Sequence, residues 1–67
     1  MNGPAIYTRL KFVNGWSVER RDDGVFRIAL YDPSEPKRPF FSINGTALTT
    51  LEAAEQMASE RNPNGYR

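Results

Sequence analysis

A run of five charged residues, ERRDD at 19–23, is the densest group of potentially reactive side chains in this 67-residue chain. The chain contains no histidine and no cysteine, so it lacks the usual general base, the usual thiol nucleophile and the ligands of common zinc sites. Asp22 and Asp23 precede Gly24, an arrangement typical of turns, in which aspartate hydrogen-bonds to the backbone. We therefore predict that the protein is not an enzyme and has no catalytic residue, no cofactor and no metal site.

A set of basic and aromatic residues in alternating segments is the better candidate for a binding surface. Arginine and lysine contact phosphates, tyrosine can stack on bases, and a β-sheet can enter the major groove of DNA. The net charge of +1 does not by itself indicate nucleic acid, so the argument depends on local charge distribution. The alternative is an ordinary solvated sheet face. The predicted binding residues are Tyr7, Arg9, Lys11, Arg21, Arg27 and Tyr31.

Alternation of apolar and polar residues predicts the strands that would position these side chains. The predicted strands are Ala5–Val13, Trp16–Arg21, Val25–Asp32 and Phe40–Ile43. The connection at 33–39 is rich in proline, which excludes a central strand there. Its proline spacing also fits a ligand for an SH3-like partner, although a stiff connection is the simpler interpretation.

The last predicted element is an amphipathic helix within TTLEAAEQMASERN at 49–62. Thr49 followed by Glu52 fits a capping box, and the Asn62–Pro63 pair should end the helix. One side of this helix is apolar and built mostly of small residues, which suits close packing on a sheet. That side consists of Leu51, Ala53, Ala54, Met57 and Ala58.

The lengths of two turns decide which strand residues share a face, because a one-residue slip inverts every side chain. A three-residue loop that ends on a left-handed Gly24 pairs Val18 with Ile28 and Arg20 with Phe26. This register also sets Trp16 opposite Leu30, so the apolar residues of both strands point to one side.

We predict the same loop geometry at Val13–Gly15, which would pair Phe12 with Trp16 and Leu10 with Val18. The predicted core face is Ile6, Leu10, Phe12, Trp16, Val18, Phe26, Ile28 and Leu30. The predicted open face is Tyr7, Arg9, Lys11, Ser17, Glu19, Arg21, Val25, Arg27, Ala29 and Tyr31. On that open face Glu19 should lie between Arg9 and Arg27, forming cross-strand charge pairs.

Together these elements predict an α+β fold, an antiparallel meander of three or four strands with one C-terminal helix packed on one face. We expect one small domain at 1–67 with a flexible tail at 62–67. Arg9 and Lys11 interrupt the N-terminal apolar run. We therefore expect neither a signal peptide nor a membrane span, and a cytoplasmic location.

Two stretches, VERRDDGVFRIALYDPS (Val18–Ser34) and GTALTTLEAAEQMA (Gly45–Ala58), resemble the Apetala or ethylene-response-factor type of DNA-binding domain. Relatives of that domain form N-terminal arms of phage integrases. The family begins its sheet with a valine followed by arginines, then a turn glycine, an aromatic, alternating small and aliphatic residues and Asp-Pro-Ser, and the first stretch is similar to this order. The second stretch is similar to the family's glycine-threonine strand exit and Glu-Ala-Ala helix. The matching residues are Val18, Arg21, Gly24, Phe26, Ile28, Leu30, Asp32, Pro33 and Ser34, then Gly45, Thr46, Thr49, Glu52, Ala53 and Ala54.

The resemblance implies that the sheet face opposite the helix reads the major groove of DNA. The family's contact positions correspond here to Glu19, Arg21, Asp23, Val25, Ala29 and Tyr31. Of these, Arg21 alone is a cation, while the carboxylates of Glu19 and Asp23 would repel phosphate. Arg9, Lys11 and Arg27 would compensate in part.

Three functions therefore stay open. The first is a small DNA-binding accessory protein of a mobile element, which uses the basic face. The second is a protein-binding adaptor or inhibitor of the phage or mobile-element type, which acts through the same face or an edge strand. The third is a solvated face with no partner. The expected partner is DNA or a protein of the host or mobile element, not a membrane, and a homodimer is a further alternative.

Overall fold

The apolar alternation of the chain forms a four-stranded antiparallel sheet with one helix packed against it, so the predicted α+β class is confirmed. The computed structural model describes residues 6–45 and 48–61. The sheet follows chain order, β1-β2-β3-β4. Its strands and the helix are β1 (Tyr7–Val13), β2 (Trp16–Arg21), β3 (Phe26–Leu30), β4 (Phe41–Asn44) and α1 (Leu51–Glu60).

The core lies between the helix and the two inner strands. Trp16 and Val18 of β2 pack with Ile28 and Leu30 of β3, and the helix adds only two small buried residues, Ala54 and Ala58. Small side chains let the helix backbone approach the sheet closely. Burial of apolar area in this one layer is the main favourable contribution to folding.

Hydrogen bonds tie the end of the helix to the turn between β1 and β2. The indole Nε1 of Trp16 donates to the carbonyl of Arg61 at 2.8 Å. The side-chain amide of Asn14 donates to the carbonyls of Ala58 and Arg61 at 3.2 and 2.9 Å. These bonds satisfy carbonyls that the helix itself leaves without partners.

The pairing of β2 with β3 follows the predicted register. Val18 pairs with Ile28 and Arg20 with Phe26. Gly24 has a φ of 94°, the left-handed conformation that the three-residue loop requires. The apolar side chains of both strands therefore point to the helix.

The predicted turn between β1 and β2 is wrong by one residue. Asn14 and Gly15 form a two-residue turn with φ values of 53° and 83°. Two positive φ values define the type I′ hairpin turn, which the Asn-Gly dipeptide favours. Val13 therefore pairs with Trp16, and Phe12 with Ser17.

A β-bulge at Leu10 restores the predicted register further along β1. The pairing shifts by one residue between Arg9 and Lys11, so that Arg9 again lies opposite Glu19. The predicted core positions Ile6, Leu10 and Phe12 are instead exposed, at 66, 42 and 61%. Val13 packs against the core in their place.

The helix begins one residue later than predicted. The hydroxyl of Thr50, not that of Thr49, accepts a hydrogen bond from the backbone N–H of Ala53 at 3.1 Å. The capping box of Thr49 and Glu52 is therefore wrong, because the third residue after the true cap is an alanine.

The remaining boundaries differ only at their ends. The third strand is shorter than predicted, and Asp32 forms an isolated bridge with Glu35 in the proline-rich connection. The predicted start of the first strand at Ala5, the Asn62–Pro63 stop and the tail at 62–67 lie outside the described residues. Within 6–45 and 48–61, no helix is long and apolar enough to cross a membrane.

The helix cap gives a matched pair of variants. Thr50→Ala removes the acceptor for the N–H of Ala53, so we expect the free energy of unfolding to fall by about 1 kcal/mol. Thr49→Ala is the control and should change it by less than about 0.5 kcal/mol. Urea denaturation measures both, and a larger loss for Thr49→Ala would contradict the observed cap.

Candidate binding face

The sheet face opposite the helix carries most of the predicted binding residues. Directly paired residues of an antiparallel sheet project to the same side. The pairs of Arg9 with Glu19 and of Glu19 with Arg27 therefore make a row across three strands, as predicted. We call this surface the Glu19 face, formed by Tyr7, Arg9, Phe12, Ser17, Glu19, Arg21, Arg27, Ala29 and Tyr31.

Glu19 lies at the centre of the face and is only 2% exposed. Its carboxylate accepts hydrogen bonds from Arg27 Nε at 2.7 Å, from Ser17 Oγ at 2.8 Å and from the hydroxyl of Tyr31. Buried charges are tolerated in proteins when they are paired and hydrogen-bonded in this way. The arrangement therefore favours an ionised carboxylate.

Burial and hydrogen bonding act in opposite directions on the pKa of Glu19. Burial by itself would raise the pKa of Glu19, but the hydrogen bonds from Tyr31, Ser17 and Arg27 and the charge of Arg27 outweigh it and lower that pKa. Burial and the nearby Glu19 carboxylate raise the pKa of Tyr31, which keeps its hydroxyl protonated as a donor.

Arginine and aromatic side chains lie over this polar centre. The guanidinium of Arg9 lies 4.7 Å from the ring centroid of Phe12 and 5.1 Å from that of Tyr31. The guanidinium of Arg27 lies 3.4 Å from the ring centroid of Tyr7. Such cation–π contacts attract each guanidinium to the face of the ring.

The predicted open face is therefore partly covered by its own long side chains. Ser17, Glu19 and Ala29 were expected to face solvent, yet all three are buried. The reason is that arginine and tyrosine side chains are long enough to fold over the shorter residues between them. What a partner can touch is the outer layer, not the strand surface beneath it.

Carboxylate groups pair with two of the three predicted cations that lie on this face. Arg27 pairs with Glu19, and Arg21 forms two hydrogen bonds with Asp23, at 2.8 and 2.6 Å. The hydrogen bonds from Arg21 lower the pKa of Asp23 to about 2, and the same contact raises the pKa of Arg21. Arg9 has no carboxylate partner among the described residues, and its Nε donates to Ser17 Oγ at 2.9 Å.

Lys11 does not belong to the face, and its predicted position is wrong. It pairs with Val18, whose side chain is in the core, so Lys11 projects to the helix side. There its ammonium group makes an ion pair with Glu55 of α1. The cause is the two-residue turn, which inverts Lys11 and Phe12 relative to the predicted register.

Phe12 is the surface residue that the sequence prediction missed. The same inversion brings it from the expected core to the Glu19 face, where it stacks on Arg9. We call Phe12, Arg9 and Tyr31 the Arg9 stack. The signal for it was present in the Asn14–Gly15 dipeptide, which is typical of a two-residue turn.

No family model, no curated protein and no solved structure matches the chain. The resemblance to the Apetala or ethylene-response-factor domain therefore stays a prediction. Of the positions that would contact DNA in that family, Glu19 and Ala29 are buried here.

The Glu19 cluster predicts a specific dependence of stability on pH. Because the pKa of Glu19 is lowered in the folded state, its contribution is complete above the unfolded value of about 4.3 and is lost as the pH falls through the folded value. Glu19→Gln should lower the free energy of unfolding at pH 7 by about 1–3 kcal/mol. It should also reduce the loss of stability between neutral and acidic pH.

Thermal or urea unfolding at a series of pH values measures this effect. Glu35→Gln is the control, because the Glu35 side chain is exposed in the connection. An unchanged pH profile in Glu19→Gln would mean that the carboxylate does not stabilise the fold.

Proposed function

We propose that this protein is a non-enzymatic module that binds another protein through the Arg9 stack. The observation that carries the proposal is the exposure of Phe12, 61% in a stacked position on an otherwise ordered face. Aromatic residues and arginine are the types enriched in the energetic centres of protein interfaces. A contact surface built from these types suits a protein partner of the host or of a mobile element.

The stack is also held in place before any partner arrives. The Nε of Arg9 donates a hydrogen bond to Ser17 Oγ, and the rings of Phe12 and Tyr31 contact its guanidinium. Binding then orders fewer side-chain rotamers, which lowers the entropy cost of association. The outer nitrogens of Arg9 would suit a carboxylate or a carbonyl of the partner.

The charge arrangement favours a protein over duplex DNA. A phosphate that approached Arg27 or Arg21 would have to compete with a carboxylate already bound to each of them. Lys11 projects to the other side of the sheet. The cationic surface expected from the sequence is therefore reduced mainly to Arg9.

DNA binding by an accessory protein of a mobile element is the second candidate. Arg9 supports it, since this exposed arginine has no carboxylate partner in the described part of the chain. The family resemblance supports it as well. On this alternative Arg9 contacts phosphate and affinity falls steeply with salt.

Two phenylalanines of similar exposure provide the test of the protein-binding proposal. Phe12 and Phe40 are 61 and 66% exposed, but Phe12 alone stacks on Arg9. In a pulldown from lysate of the source organism, we expect one stoichiometric protein whose capture survives nuclease. Phe12→Ser should reduce its affinity by a factor of about ten or more, and Phe40→Ser should leave it nearly unchanged.

A gel shift with random duplex DNA at two salt concentrations tests the second candidate in parallel. Retention that weakens with salt and is lost in Arg9→Ala would favour DNA and contradict the protein-binding proposal. Equal loss of the captured protein in Phe12→Ser and Phe40→Ser would also contradict the role of the stack.

A further inference from the structure

The outer edge of β1 offers backbone groups for another strand. β1 is an edge of the sheet, and no other strand in 6–45 or 48–61 pairs with its outer side. The backbone N–H of Asp22 donates to the carbonyl of Ile6 at 2.9 Å. Because inward and outward pairs alternate along an antiparallel strand, Tyr7 and Arg9 direct their backbone N–H and C=O groups away from β2.

A shallow groove with aliphatic and charged residues in its walls runs beside this edge on the helix side of the sheet. Ile6 and Leu10 are exposed there, and both line a depression of about 190 Å³. The residues around it are Ile6, Thr8, Leu10, Arg20, Arg21 and Asp22. Exposed aliphatic residues next to an unpaired edge are characteristic of sites where an extended chain adds to a sheet.

The two sides of the β1 edge differ in chemistry. Thr8 pairs with Arg20 on the helix side, in line with Ile6 and Leu10, whereas Arg9 projects to the Glu19 face. The side chains of an added strand alternate between the same two sides. On the helix side its residues would meet Ile6 and Leu10, with Thr8 and Arg20 beside them. On the other side they would meet the guanidinium of Arg9.

We infer that the Ile6–Arg9 edge binds an extended segment of a partner protein in which aliphatic residues alternate with carboxylates. The aliphatic side chains would pack on Ile6 and Leu10, and a carboxylate would pair with Arg9. This inference rests on the protein-binding function proposed above and adds a second surface to it.

Charge disfavours a second copy of β1 in the register that sets Arg9 opposite Arg9. Antiparallel pairing of two β1 strands centred on Arg9 would bring the two Arg9 guanidinium groups close to each other. Like charges that face each other across strands are destabilising. A carboxylate on an added strand would instead pair with Arg9, so the edge is complementary to a carboxylate-bearing partner.

The bulge at Leu10 sets the length of the site. A bulge disrupts the regular ladder and twists the strand, so regular addition ends near Arg9. A short segment is enough to use the outward groups of Tyr7 and Arg9. Such a short contact suits one part of a larger interface with the Arg9 stack.

Three synthetic heptapeptides test strand addition on isotopically labelled protein by NMR. The first alternates valine with glutamate, the second alternates valine with lysine, and the third is the first with N-methyl groups on the amides that would face β1. We expect the valine–glutamate peptide to shift the amide resonances of Tyr7 and Arg9 and to slow their hydrogen exchange. The other two should bind at least about fivefold more weakly, since each loses the charge pair or the backbone bonds.

Single substitutions test whether the peptide binds at the β1 edge or elsewhere on the surface. Arg9→Gln should weaken binding of the valine–glutamate peptide by up to about fivefold, and Arg38→Gln is the matched control on an exposed cation of the connection. Ile6→Ser should weaken it as well. Circular dichroism checks that each variant is folded.

The outcomes distinguish this inference from the proposed function. Shifts at Phe41–Asn44 instead of β1, or equal binding of the lysine peptide, would overturn strand addition at β1. Failure of the valine–glutamate peptide, with partner capture still dependent on Phe12, would overturn the edge site and leave the proposed function intact. Peptide binding at β1 without any capture through Phe12 would support the edge site and contradict the Arg9 stack.

Discussion

One buried carboxylate governs the arrangement of the sheet face opposite the helix. Glu19 takes three hydrogen bonds from Arg27, Tyr31 and Ser17, and each donor is fixed by that bond. Removal of a charge from water is expensive, so the site is stable only while all of these donors are in place. The ring of Tyr31, whose hydroxyl is bound to Glu19, contacts the guanidinium of Arg9 in the Arg9 stack. The outer layer of the face thus depends on an ion that no partner can reach.

Internal ion pairs also reduce the positive charge that the sequence predicts for this surface. Counted along the chain, the four predicted cations form a basic surface. In the fold, Glu19, Asp23 and Glu55 each hold one of them, and Arg9 is held by aromatic rings and a serine hydroxyl. A partner would therefore meet a shaped aromatic surface with one oriented guanidinium. It would meet little unpaired positive charge. Those properties support the proposed protein interface, to which the adjacent β1 edge would add backbone groups.

The sequence predicted most of the fold, because apolar alternation and turn chemistry are local signals. The β2–β3 register, the left-handed Gly24, the C-terminal helix and the place of Glu19 between two arginines all followed from them. The position of Lys11 and Phe12 did not, because it depends on a two-residue Asn14–Gly15 turn combined with a bulge at Leu10. The turn shifts the register by one residue and the bulge shifts it back before Arg9. The apolar alternation of β1 therefore does not reveal either irregularity. Burial of Glu19 was also missed, since it arises from long side chains of β1 and β3, and from Tyr31 just after β3, that fold over it.

The carboxyl pKa of Glu19, measured by NMR titration of protein labelled with ¹³C at glutamate and assigned with the Glu19→Gln variant, tests this account most directly. If the hydrogen bonds from Tyr31, Ser17 and Arg27 prevail over burial, the pKa will lie below the ordinary value of about 4.3. A pKa at or above that value would mean that desolvation dominates or that the carboxylate is not bound by these donors. In the second case the Glu19 face would be open and differently arranged, and its arginines would be available for phosphate.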